Sequence, residues 1–408
     1  MNIVVITPHF APDIAPTGQV VTRVVEELGG RGHRLDVVTA LPWYRSHSVE
    51  PGFAGRLYRY EDAPWGRITR VHPFPASDKR NLLKRAGGYA GFSALVAVMA
   101  GRGKPADAVL ALSPPLTLGV SGWAVARRRR APFVFNVQDV YPDVAIELGV
   151  IKRRRLVQAA HRLERWCYER ADAVTVLAED LKENVGAKAS DLAKIRVIPN
   201  FVDTDWIRPL EKENSYRREF GLEGKFVVMY AGNIGLSQGL EIVIEAAGAL
   251  TYEADLVFVL NGGGASRERL EHKAAGLPNV RFINVQPEQR LPEVLAAADL
   301  HLVTLRRGLA RTSVPSKTYS VLAAGRPLVA SVDEGSEVAG LVERSGAGVA
   351  TPPEDAEALA KTVRRLMDAP GDLAAMGASG RRFVEGWASP AAVASAYESL
   401  FEELRRTH

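Results

Sequence analysis

Phe226-Val227-Val228-Met229-Tyr230 runs into Ala231-Gly232-Asn233-Ile234-Gly235-Leu236-Ser237-Gln238-Gly239 and then into an amphipathic segment over 239–250. The five apolar residues show no polar alternation, which predicts a strand covered on both faces, and the glycine-bearing loop then opens a helix. Strand, glycine loop and helix in that order form the repeating unit of a parallel α/β sheet. Further apolar runs at 255–260, 280–283, 300–303, 328–330 and 348–350 continue the unit downstream, with a helix at 316–324. The pattern also exists upstream, with runs at 3–7, 34–39, 67–71, 108–112, 133–137, 173–177 and 195–198 and helices at 20–31 and 156–171. Between the two series lie Pro199-Asn200-Phe201-Val202-Asp203, Pro209 and the polar 211–213, which read as a linker. The fold class predicted is α/β, with two Rossmann-like doubly wound domains facing a central cleft, and ligands are expected beyond the carboxyl ends of the strands. A strongly amphipathic helix is predicted over 390–406.

Composition narrows the function classes. The chain has 408 residues, 47% of them hydrophobic and 24% charged, which excludes disorder, collagen and a disulfide scaffold. Its one cysteine, Cys167, has no internal partner, which fits a reducing compartment. Met1 leads directly into a strand rather than a signal peptide, so a cytoplasmic location is expected. The uncharged 86–101 carries four glycines in 16 residues, and 108–126 is broken by Ser113-Pro114-Pro115; neither reads as a membrane span. Residues 1–205 carry a charge balance of +8 and the remainder −3. A basic half suits an anionic partner or, equally, a solvated face.

Three glycine-bearing loops follow strands: Pro12–Gly18, Ala231–Gly239 and Asn261-Gly262-Gly263-Gly264. Glycine permits close backbone approach, and a helix start offers unpaired N–H groups to an anion. Taken singly each is more often just a tight turn, and none spells a Walker loop or a GxGxxG fingerprint.

In this order, however, the loops and their neighbours resemble the glycosyltransferases of family 4, retaining sugar transferases with the GT-B fold. The resemblance spans nearly the whole chain. It rests on Pro12–Gly18, Val197–Asp203, Tyr230–Gly239, Ala297-Ala298-Asp299-Leu300 and Pro315-Ser316-Lys317-Thr318-Tyr319-Ser320-Val321-Leu322-Ala323-Ala324-Gly325-Arg326-Pro327. The last string, with Val137-Gln138-Asp139-Val140-Tyr141-Pro142-Asp143, is similar to the branch that builds colanic acid, O-antigen and other surface polysaccharides. The resemblance implies an acceptor-binding domain over 1–205, a nucleotide-sugar-binding domain over 206–385 and a terminal helix over 386–408 that returns to the first domain. It implies sugar transfer from a nucleotide-diphosphate sugar to an acceptor hydroxyl with retention, on a lipid-linked or other saccharide acceptor, with no metal and no cofactor beyond the donor.

The chain departs from the family at several positions. Asn233 and Gln238 stand where most members carry Arg and Lys against the donor diphosphate, and Thr312 and Ser320 stand where a pair of glutamates is usual. Charge for the diphosphate is therefore expected from Lys317, with Ser316 and Thr318 at the same helix start, and from Arg306, Arg307 and Arg311. Donor contacts are expected at Gly18, Gly232, Asn233, Gly235, Gln238, Gly262, Gly263, Arg306, Ser316, Lys317, Thr318 and Ser320. Asp139, after a buried strand, is the candidate to orient or deprotonate the acceptor, with a helix cap or Asx turn as the alternative for it and for Asp143. His9, beside the first glycine loop, is the best placed histidine.

The basic cluster Lys79, Arg80, Lys84 and Arg85 leads into the apolar 89–99. That suits peripheral contact with an anionic inner-membrane surface, or a core helix with charged ends. Nucleic acid is not expected, since the basic runs lack interleaved aromatics. Two other functions fit the same features: a nucleotide-sugar 2-epimerase, which would turn over the donor alone, and a non-catalytic nucleotide-sugar-binding partner protein.

Overall fold

The computed structural model describes residues 1–45, 47–75, 82–143, 154–309 and 317–408, with the backbone alone for 82–86. The chain divides into two compact units, one of Met1–Asn200 with Pro390–His408 and one of Phe201–Ser389.

The first unit is built on strands β1 (Asn2–Ile6), β2 (Arg34–Ala40), β3 (Tyr58–Ala63), β4 (Gly66–Val71), β5 (Ala108–Ser113), β6 (Phe133–Val137), β7 (Ala173–Val176) and β8 (Ile195–Val197). Their order in the sheet is β3-β4-β2-β1-β5-β6-β7-β8. β1, Val/Ile-rich and buried behind Asn2, sits in the middle because β-branched side chains suit a pleat covered on both faces. It pairs in parallel with β2 on one side (Ile3 with Leu35) and β5 on the other (Ile3 with Ala108). The chain therefore reverses its direction of winding at β1, and the loops after β1 and β5 diverge there, where such sheets take ligands.

One strand was not legible in the sequence. β3 pairs antiparallel with β4 through a two-residue turn, and its residues alternate exposed and half-buried. Its sequence, Tyr58-Arg59-Tyr60-Glu61-Asp62-Ala63, lacks the apolar run because it lies at the sheet edge with little to cover. The first helix also begins earlier than the sequence suggests, spanning Pro16–Gly30, since Pro16 supplies the φ of a first helical turn. Gly18 thus belongs to a helix rather than a loop.

The terminal helix Pro390–Thr407 belongs to the first unit and packs on Pro16–Gly30. Glu398 takes hydrogen bonds from Arg31 at 3.0 Å and His33 at 2.7 Å. In the core, the Tyr397 hydroxyl meets the Asn136 amide at 3.0 Å, and Asn136 also reaches Thr175 at 3.0 Å. Helix Leu82–Ala100 buries Phe92, Val96 and Met99 in the core and leaves Ala90, Ala94 and Val98 exposed. The apolar stretch 89–99 is thus one-sided core. Lys79 and Arg80, and the side chains of Lys84 and Arg85, lie outside the described residues. No described helix is long and apolar enough to cross a membrane.

The second unit carries β9 (Phe226–Ala231), β10 (Leu256–Asn261), β11 (Val280–Ile283), β12 (Leu300–Thr304), β13 (Leu328–Ser331) and β14 (Gly348–Thr351), in the order β11-β10-β9-β12-β13-β14. All of its pairs are parallel, and β9 lies between β10 (Tyr230 with Leu260) and β12 (Val228 with Leu300). The winding reverses at β9, which sets the Gly232–Gly239 loop at the ligand-binding edge. Asp299, in the Ala297-Ala298-Asp299 string, is structural: it accepts from the buried Arg217 at 2.5 Å and from the Val227 N–H at 2.9 Å, tying the start of β9 to the loop before β12.

Candidate functional site

In the second unit the glycine loops after β9 and β10 lie against each other. The Gly232 N–H donates to the Asn261 carbonyl at 3.0 Å and the Ile234 N–H to the Gly263 carbonyl at 2.8 Å. A Cβ on Gly262 would stand 1.9 Å from the Gly232 oxygen, so only glycine lets the two backbones meet. Beside them opens a cavity of about 710 Å³, lined by Gly232, Asn233, Gly262, Gly263, Lys317 and Ser320, with Val285, Gln286, Pro287, Glu288 and Leu291 from the segment after β11. Its size and mixed lining suit a nucleotide-sized molecule.

Lys317, the first described residue of helix Lys317–Ala323, lines this cavity. Its ammonium sits 3.8 Å from the centroid of the Tyr230 ring and 2.5 Å from the Tyr230 hydroxyl, which donates in turn to the Asn233 carbonyl at 2.7 Å. Burial pushes the Lys317 amine down to about 7. Tyr230, at the end of an apolar strand, was not anticipated as a site residue; its position just before the glycine loop was the available signal.

Other expected donor contacts are placed differently. Arg306 donates to the Leu236 carbonyl at 2.6 Å and to Glu241 at 2.9 Å, and it does not line the cavity. Glu241, in the first turn of the next helix, is simply the nearer anion. Arg307 reaches the Pro353 carbonyl at 3.2 Å and is exposed. The Gln238 side-chain carbonyl turns back to accept from the Gly235 N–H at 3.1 Å, so Gln238 and Gly235 brace their own loop. Thr318 is buried under its helix, away from the cavity. Arg311, Thr312 and Ser316 lie outside the described residues.

In the first unit, His9 and Asp13 come together after β1. The His9 Nδ1 lies 2.7 Å from Asp13, which is buried and also accepts from the Tyr44 N–H at 3.2 Å. The His9 ring stacks on Trp43 at 5.6 Å and meets Tyr44 edge-on at 5.4 Å. Asp13, Trp43 and Tyr44 were not singled out in the sequence, because nothing local links 41–44 to His9. Gly18 packs against His9 and the Phe10 backbone rather than lining the cavity of the second unit.

Asp139 follows β6 with an exposed side chain and, among the described residues, no hydrogen-bond partner; the protein mass around it nevertheless raises its carboxyl pKa. It caps no described helix. Its neighbour Gln138 is tied to Asn136 at 2.6 Å and to Asn200 at 2.9 Å, which gives the Pro199-Asn200 motif a structural role. Asp143 pairs with Lys188 at 2.6 Å. Asp143, His161 and Glu164 converge, but the Lys188 ammonium already bridges the two carboxylates, reaching Glu164 at 2.9 Å.

Known proteins share both the sequence and the architecture. The family model "Glycosyl transferase 4-like domain" matches residues 17–200, and "Glycosyl transferases group 1" matches residues 225–369. The chain is 29% identical over 379 residues to WcaI of Escherichia coli, named as a colanic acid biosynthesis glycosyl transferase, covering 90% of this chain and 92% of that one. It is 28% identical to the Pseudomonas aeruginosa glycosyltransferase WbjE, covering 74% and 76% of the two chains. Among solved structures, sucrose-phosphate synthase of Thermosynechococcus elongatus superimposes with TM-score 0.69 at 17% identity, over 100% of both chains. HepE of Anabaena in complex with UDP does so with TM-score 0.68 at 15% identity, over 99% of this chain and 100% of that one. With a family match on each unit, a doubly wound sheet in both and a cavity at the β9 edge, the protein belongs to the glycosyltransferases: it is a group 1 transferase of GT-B fold.

Proposed function

We propose that the cavity of the second unit holds a nucleotide-diphosphate sugar and that the protein transfers its sugar, with retention, to a hydroxyl of a saccharide, carried on lipid, in building a surface polysaccharide. The carrying observation is Lys317, a half-buried amine with no carboxylate partner among the described residues, set beside the Gly232 backbone of the cavity wall. A buried cation without a counter-ion is stabilised by an anionic ligand, and here it replaces the charge that Asn233 and Gln238 do not bring. The surface-polysaccharide reading is supported by WcaI, which is named for colanic acid biosynthesis. The donor reading is supported by HepE, which is solved with UDP and with UDP-glucose.

In the first unit His9, held by Asp13, and Asp139 are the groups available to orient or deprotonate the acceptor. Contact with an anionic inner-membrane surface on the cytoplasmic side belongs to the same reading. The exposed Ala90, Ala94 and Val98 lie on helix Leu82–Ala100, whose first turn carries Lys84 and Arg85.

Lys317→Ala should weaken binding of a nucleoside diphosphate by about 1.5–3 kcal/mol and leave the free nucleoside nearly unaffected. Equal losses by calorimetry would remove Lys317 from the phosphate site. Co-sedimentation with phosphatidylglycerol vesicles at low and high salt tests the membrane contact, which neutral vesicles should not support.

A further inference from the structure

The Lys317 amine is parked in the protein. Its Nζ lies over the face of Tyr230 and within 2.5 Å of the Tyr230 hydroxyl, whose single proton goes to the Asn233 carbonyl at 2.7 Å. The hydroxyl lone pairs therefore face the amine and accept from it whether it is charged or neutral. Tyr230 is fully buried, and burial keeps its phenol protonated. Of the elements around Lys317, β9 presents Tyr230, the loop after β9 presents no charged residue, and the segment after β11 presents Glu288 across the cavity. On its own helix the next titratable residue is Tyr319, whose burial holds it protonated. Arg306, on the loop after β12, is turned to Glu241.

We propose that Tyr230 is a positioning residue for the donor diphosphate: it holds the Lys317 amine at the cavity wall, and the donor binds together with one proton that passes from solvent to that amine. This rests on the reading of the cavity as the donor site. The diphosphate of a sugar nucleotide is doubly esterified and stays ionised across the working pH range, so the proton taken up belongs to Lys317. With the amine at about 7 in the free protein, donor affinity is level below that pH and falls about tenfold per pH unit above it.

The test is calorimetry of the full chain with UDP-, GDP- and dTDP-glucose, first at pH 6 to find the nucleotide that binds. The titration is then repeated at pH 6 and pH 8 in pairs of non-phosphate buffers of different ionisation heat. The expected result is close to one proton taken up at pH 8 and close to none at pH 6. Lys317→Arg, which cannot lose its proton, should bind with no uptake at either pH. Tyr230→Phe keeps the ring but removes the hydroxyl that solvates the ammonium. Its affinity should therefore fall several-fold at pH 7 and hardly at pH 5.5, whereas a purely structural role would lower affinity equally at both. No uptake by the wild-type chain at pH 8, or the same uptake in Lys317→Arg, overturns the proposal. Binding without uptake overturns this coupling alone, while failure of all three nucleotide sugars to bind at pH 6 overturns the donor-site reading and the coupling with it.

Discussion

A Cβ on Gly18 would lie 2.9 Å from the Cβ of His9, so the first helix and the loop after β1 approach as closely as they do only because that residue has no side chain. The contact sets where His9 stands and hence where its bond to Asp13 forms. Gly18→Ala should cost about 1–3 kcal/mol in stability through overpacking and lower turnover by displacing His9. Gly30→Ala, with nothing within 4 Å of the new methyl, is the control, and thermal unfolding with initial-rate assays would compare them.

Gly262→Ala should be worse tolerated than Gly263→Ala, its neighbour in the same loop. The first places a methyl 1.9 Å from the Gly232 oxygen, whereas the second meets only the Val285 side chain at 3.5 Å. The loss expected for Gly262→Ala is about 1–3 kcal/mol or more, with weakened donor binding. Denaturant unfolding of both variants checks the order.

His301 in β12 is wholly buried, and its Nε2–H donates to the Leu295 carbonyl at 2.9 Å. Burial pushes its pKa down to about 4, below the 6.5 of an open chain. The unfolded chain thus binds a proton that the folded one refuses. The stability of the fold is full above pH 6.5 and falls as the pH drops toward 4, by a total on the order of 3 kcal/mol. His301→Gln should show a shallower decline over that window in pH-dependent unfolding.

Asp139 carries the opposite sign. Its pKa is raised from 3.8 by the protein mass around the exposed carboxyl, which withholds part of its solvation, so ionisation in the folded state works against stability at neutral pH. Asp139→Asn should be at least as stable as the wild type at pH 7, with any gain fading below pH 3.8. If the carboxylate acts on the acceptor, turnover should fall about 10²–10⁴-fold with donor affinity unchanged. Retained turnover removes it from the chemistry.

Much of the fold can be read locally. Runs such as 133–137 and 256–260 need only their own side chains to announce a buried parallel strand, and the strands β9 to β14 described in the second unit fall where such runs stand. β3 escaped because an edge strand buries too little to need an apolar run. Gly262 was legible as a glycine that matters, although its partner turned out to be another loop of the protein.

The site divides along the same physical line. Sequence by itself determined the two sheets, the glycine loops and the presence of a lysine at the start of the helix after β12, because periodicity and backbone freedom are properties of neighbouring residues. Tertiary structure alone decided that Lys317 would face the cavity while Arg306 was drawn away to Glu241, that Gln238 would fold back on Gly235, and that Asp13 would meet His9 beside Trp43. Long polar side chains have many partners within reach, and which carboxylate, carbonyl or ring lies nearest is set by how distant segments pack.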